Sequence, residues 1–194
     1  MYLASIISLK LYSTNHFFWF GHNEKIKNKS IVQLKQFVRF TDTGHLASFI
    51  YFYRPDFLPI AHNVHFIITM CYWIGKCIGI KETTGKNDKD IIPELIILSA
   101  SLNHGLIYLF LIRDILLMPS DVQKDMFSSQ TLSYSYLWSY VWFFCIYLPW
   151  RYITHDEVYS ILSHKTHIFK KIIFLSIMHV IIYISNFTGK LITG

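Results

Sequence analysis

Thr41 and His104 are the side chains whose types and settings fit a reaction. Thr41 lies in Arg39–Phe40–Thr41–Asp42–Thr43–Gly44–His45, where a basic residue, two hydroxyls and a carboxylate crowd into the start of an apolar run. His104 lies in Ser101–Leu102–Asn103–His104–Gly105, in the middle of another. A Thr hydroxyl is inert at neutral pH until a neighbouring base takes its proton. Imidazole is the natural base, because its pKa lies near the working pH. Together the segments point to a hydroxyl nucleophile with a histidine base. Each also has a plainer reading. The first is a helix start capped by Thr41 or Asp42, and the second is an interhelical hydrogen bond with Gly105 permitting close packing.

The remaining ionisable groups in apolar surroundings are His45, His62, His65, Arg113, Asp114 and His179. Arg113 and Asp114 sit near a helix end, where snorkelling or headgroup pairing accounts for them. His179 is alone on its run and reads as a structural hydrogen bond. His62 and His65 form His-x-x-His, a spacing that can hold a metal, but the richer His boxes of membrane di-iron enzymes are absent. A bis-His haem would need His45, His104 or His179 to face one another by chance of rotation. Cys71, Cys77 and Cys145 have no metal-ligand spacing and read as buried apolar residues. There is no phosphate-binding loop and no Gly-rich dinucleotide fingerprint, so no cofactor is expected.

The elements that must position these groups follow from composition. Of 194 residues, 53% are hydrophobic and 15% charged. A soluble domain of this size carries about 25% charge. Three Cys exclude a disulfide-rich scaffold. A net charge of +6 would suit nucleic acid, but the basic residues sit between apolar runs, so no nucleic-acid partner is expected. The pattern predicts an all-α polytopic membrane protein, a single integral domain of five or six transmembrane helices. The runs are 1–20, the weakest and read as an uncleaved span, then 37–53, 57–80, 91–118, 130–150 and 172–187. Arg54–Pro55–Asp56 is a short turn, Lys81 to Asp90 is a polar loop with Asp90 as a cap, and Pro149 with Arg151 ends the fifth run. Of the 18 Lys and Arg, 13 lie in or beside the loops 21–36, 81–90 and 151–171. The positive-inside rule places that side in the cytoplasm.

Depth tests the pairing of Thr41 with His104. Both helices enter from one side, and the two residues differ in depth by roughly 8 Å at 1.5 Å rise per residue. Tilt and side-chain reach can close that gap.

Several pieces together resemble the androgen-induced-gene family of integral membrane hydrolases. They are Arg39–Phe40–Thr41 opening a span, Tyr72–Trp73–Ile74, Leu102–Asn103–His104–Gly105 inside a later span, and Tyr136–Leu137–Trp138 with Trp142, Pro149–Trp150 and Tyr152. The resemblance covers about residues 36–153, with the elements in the same order. It implies a threonine hydrolase that cleaves fatty acid esters of hydroxy fatty acids. Thr41 would be the nucleophile and His104 the catalytic histidine, with Thr43 a competing nucleophile. The chain departs from the family in its very short Arg54–Pro55–Asp56 connector, which is long and charged in the family and argues there for the opposite orientation. It departs again at His62 and Asn63, where the family is apolar with a Pro.

The expected function is therefore intramembrane hydrolysis of a lipid ester, with membrane lipids and the ester as partners. Asn103 is a candidate oxyanion donor, Arg39 a candidate carboxylate or phospholipid anchor, and Asp42 a candidate orienter of His104. The alternatives are a non-catalytic multi-pass protein and, third, a His-ligated metal or haem protein. The expected compartment is the endoplasmic reticulum or another endomembrane, with the plasma membrane as the alternative. Oligomeric state and acyl-chain preference leave no trace in the sequence. Two sequons, Asn28–Lys29–Ser30 and Asn186–Phe187–Thr188, test the orientation. Expression in glycosylating cells followed by glycosidase treatment should show no mobility shift from Asn28; a glycan there inverts the topology.

Overall fold

A computed structural model describes residues 3–19, 34–77, 97–98, 100–156 and 158–194, and among them every regular element is helical. Helix α1 spans Leu3–Trp19. A 3-10 turn at Lys35–Phe37 and an extended Arg39 precede α2, Phe40–Tyr53. Another 3-10 turn, Pro55–Phe57, leads into α3, Leu58–Cys77. A π-helical turn at Leu102–Leu106 runs into α4, Ile107–Leu116. Then come α5, Ser120–Met126, and α6, Ser129–Val141, which continues through a π turn at Trp142–Tyr147 into α7, Leu148–Thr154. The last is α8, Ile168–Thr193. The polar loop from Lys81, its cap Asp90 and the sequon at Asn28 lie outside the described residues.

Local chemistry sets these boundaries. Pro55 opens its turn where a backbone N–H is not needed, and Arg54 clamps Asp56 through two hydrogen bonds of 3.1 and 2.8 Å. Ser128 caps α6 by accepting from the Thr131 N–H. His167 caps α8 through Nδ1, which accepts from the Phe169 N–H at 3.2 Å. The expected stop at Pro149 and Arg151 does not occur, and the helix runs on to Thr154. A proline inside a helix removes one donor and crowds the carbonyl four residues back. The π turn directly before α7 widens the backbone there and accommodates the ring. The stop comes instead at His155, in the left-handed region with φ 55°.

Among the described residues two helical segments, Pro55–Cys77 and Ile168–Thr193, are long and apolar enough to cross a membrane. Helix α2 starts at Phe40 rather than at residue 37, and its 14 residues reach only about 21 Å at 1.5 Å each. Helix α3 is the shared wall between two apolar clusters. Ile60, Val64, Ile67 and Ile68 face one cluster with Phe40, Trp142 and Tyr147. Leu58 and Ala61 face the other with Tyr51, Ile107, Leu111 and Phe127.

A polar seam binds α3 to α6 and α8. Asn63 Nδ2 donates to Ser135 Oγ at 2.9 Å and to Asn186 Oδ1 at 3.2 Å, and Ser185 Oγ donates to Asn63 Oδ1 at 2.8 Å. Asn186 Nδ2 donates to the Phe127 carbonyl at 3.2 Å. This sequon asparagine is therefore buried and engaged in the fold. His62 belongs to the same seam, through Asn63 Oδ1 and the Tyr108 hydroxyl, each 3.2 Å away.

A Cβ at Gly189 would overlap the buried Phe127 ring. Gly189→Ala is expected to cost about 1–3 kcal/mol through overpacking, read as a lower thermal midpoint in detergent. Gly105→Ala is the control, since a Cβ there meets Trp73 Nε1 at an ordinary 3.6 Å and should leave the midpoint unchanged.

Candidate active site

Thr41 occupies the second position of α2, and His104 the centre of the π turn before α4. Their side chains meet: Thr41 Oγ1 lies 3.2 Å from His104 Nε2. The other ring nitrogen, Nδ1, lies 2.6 Å from the Ala100 carbonyl. A carbonyl can only accept, so Nδ1 carries the proton and donates it to Ala100. In the neutral ring Nε2 is then the bare lone pair, facing the Thr41 hydroxyl. A general base needs this tautomer and this direction.

The surroundings give three of the candidate residues other partners. Asp42 does not hold the Nδ1 corner of His104, because the Ala100 carbonyl occupies it. The Asp42 side chain is fully buried, and its Oδ2 lies 3.4 Å from Arg39 Nε. Asn103 is turned to His45, with Oδ1 3.0 Å from His45 Nε2, as expected for neighbours about 100° apart on a helix. Thr43, the rival nucleophile, donates its hydroxyl to the Phe40 carbonyl of its own helix at 2.8 Å. Arg39 keeps 15% of its side chain exposed beside Asp42.

His45 sits one turn after Thr41, and its ring is 5.7 Å from that of His65. Gly44 lets these helices close: a Cβ there would press on the Cδ1 end of Ile68 and lie 3.3 Å from His65 Nε2. Among the described residues no group of three or more His, Cys, Asp and Glu side chains is placed to hold a metal. Cys77 and Cys145 are exposed, contrary to the buried reading, and Cys71 is partly buried. Asp114 is buried beside Arg113 at 3.3 Å and Tyr51 at 3.5 Å, a packing role rather than a headgroup contact. His179 Nδ1 lies 3.1 Å from the Tyr140 hydroxyl and its ring stacks on Tyr136, the structural bond expected of it.

The mouth of α2 is held by the connector after α7. The Tyr159 hydroxyl accepts from the Phe40 N–H at 2.8 Å, and burial pushes its phenol up to about 12, so it stays neutral. Asp156 fastens the same connector to Lys35 at 2.9 Å and to Trp150 Nε1 at 3.2 Å. The Trp142 indole donates to the Val38 carbonyl at 2.8 Å. Asp42 N–H and Thr43 N–H both return to the Arg39 carbonyl. Among the described residues no acceptor takes the Thr41 N–H, and Arg39 offers no side-chain cap. The Thr41 amide therefore stands open at a positive helix end.

Sequence reasoning missed a role for Tyr72 at the site and named it only within the Tyr72–Trp73–Ile74 piece of the resemblance. Its ring lies parallel to the His104 ring, 4.2 Å away at 11°. It also missed Ala100 and Tyr159, which act through a backbone carbonyl and across 119 residues of chain. A cleft of about 940 Å³ opens at the other end of α2, lined by residues such as Ile50, Arg54, Tyr134 and Trp138 and not by the Thr41–His104 pair.

No protein-family model, curated protein or solved structure matches this chain. Because Asn103 serves His45 in full burial, Asn103→Leu is expected to cost about 1–3 kcal/mol by leaving an imidazole nitrogen unpaired. Thermal unfolding in detergent checks this, and an unchanged midpoint would remove Asn103 from the helix-packing account.

Proposed function

We propose that this chain is an integral membrane protein with five to six transmembrane helices that hydrolyses lipid esters within the bilayer, with Thr41 as nucleophile and His104 as base. The carrying observation is the line from Thr41 Oγ1 to His104 Nε2 and from Nδ1 to the Ala100 carbonyl. The exposed apolar side chains of α8, among them Ile172, Ile177, Val180 and Leu191, favour a lipid surrounding, as do the two helices of spanning length. The resemblance to the androgen-induced-gene family supports fatty acid esters of hydroxy fatty acids as the substrate class. It rests on Arg39–Phe40–Thr41 and Leu102–Asn103–His104–Gly105. The compartment we favour is the endoplasmic reticulum or another endomembrane.

The reaction divides into two transfers. His104 Nε2 takes the Thr41 proton as Oγ1 attacks the ester carbonyl. The charge gathering on the carbonyl oxygen meets the open Thr41 N–H and the positive end of α2, in place of the Asn103 donor expected earlier. As the tetrahedral intermediate collapses, the ester C–O bond breaks and His104 returns its proton to the departing alcohol. Water, deprotonated by the same Nε2, then attacks the acyl-Thr41 ester. The acid leaves and the hydroxyl is restored. Arg39, partly exposed beside the nucleophile, is placed to attract a free carboxylate on the substrate.

One observation favours a non-catalytic reading: Thr41 is only 7% exposed, so the pair could serve helix packing alone. Detergent-solubilised hydrolysis of a branched fatty acid ester separates the two. Thr41→Ala and His104→Ala should each lower kcat by about 10²–10⁴-fold with thermal midpoints near wild type. Loss of folding with His104→Ala, or full turnover with Thr41→Ala, favours packing.

A further inference from the structure

We infer that Tyr72 is a positioning residue for His104, doing through its ring face what a carboxylate does in a hydrolytic triad. The inference rests on the Thr41–His104 reading. In a triad the third residue fixes the imidazole tautomer and steadies the imidazolium that forms. Here the Nδ1 corner belongs to a neutral carbonyl. That contact selects the tautomer, but it and the Thr41 contact both lie in the ring plane, so neither resists a tilt of the ring out of that plane, which carries Nε2 past Thr41.

Tyr72 closes that freedom. It stands on α3, facing the π turn, with its ring 4.2 Å from the His104 ring and 11° from parallel. Its hydroxyl reaches Ser101 Oγ at 3.4 Å, so the ring is tied to the helix that carries His104. The Lys76 ammonium lies 5.5 Å from the same ring centre, one turn on along α3. A π face attracts a cation. When His104 takes the Thr41 proton, positive charge appears directly over Tyr72, so the contact strengthens as the barrier is climbed. An interaction stronger in the transition state than in the ground state raises kcat and leaves KM alone.

The test compares Tyr72→Phe, which keeps the ring, with Tyr72→Leu, which keeps apolar bulk. With a branched fatty acid ester, Tyr72→Phe should stay within about threefold of wild type. Tyr72→Leu should lose about 10- to 100-fold in kcat with KM within about twofold and an unchanged thermal midpoint. Equal turnover in both variants, or equal loss in both, overturns the ring's role. A second readout needs no turnover, so it survives failure of the hydrolase reading. Long-range proton–nitrogen NMR of imidazole-labelled protein should show the Nδ1–H tautomer of His104 in all three proteins, as one sharp signal set in wild type and Tyr72→Phe and as a broadened or doubled set in Tyr72→Leu. One sharp set in all three proteins overturns the clamp. If Thr41→Ala retains full hydrolysis while Tyr72→Leu broadens or doubles the His104 signals, the hydrolase reading falls and the clamp stands.

Discussion

The hydrogen bond from His104 Nδ1 to the Ala100 carbonyl is the constraint on which the site depends. At 2.6 Å, to a group that can only accept, it fixes where the ring proton resides. It also leaves the Nε2 lone pair facing Thr41 at 3.2 Å. The opposite tautomer would set the Nδ1 lone pair against the Ala100 carbonyl, acceptor against acceptor, which costs about 1–3 kcal/mol. The backbone of one helix thus decides the chemical sense of a contact between two.

The rest of the bundle serves that contact by a division of polar labour. Asn103 takes His45, Asn63 gathers Ser135, Ser185 and Asn186, and Tyr108 takes His62. Each buried group that is satisfied locally is one fewer competitor for Thr41 and His104. Gly44 allows α2 and α3 to approach where a side chain would strike Ile68. Tyr159 and Asp156 secure the mouth of α2 from the far end of the chain. The two π turns act alike. One centres on His104, and the other admits Pro149 without ending its helix. Single-turn widenings of this kind recur at functional sites.

The legible part of the fold was its helical class and the approximate reach of α1, α3 and α8. These rest on apolar run length, a property of contiguous sequence. The contact of Thr41 with His104 was legible for a related reason: a hydroxyl and an imidazole in apolar runs stand out by cost alone. Their partners were not. Ala100 contributes a carbonyl that every residue possesses, and Tyr72 resembled any aromatic near a helix end. Asp42 looked like an orienter because carboxylates serve that role in triads, but the Arg39 charge three residues before it lay nearer. The stop expected at Pro149 failed because the widened turn before it relieves the ring's clash, and nothing in the residue types there announces a π turn.

The most direct measurement is a fluorophosphonate adduct mapped by peptide mass spectrometry on the purified, detergent-solubilised protein. The account predicts modification at Thr41 in wild type. It predicts little or none in His104→Gln that keeps a wild-type thermal midpoint, because the hydroxyl then has no base. Modification that persists in Thr41→Ala, or that is undiminished in His104→Gln, would contradict it.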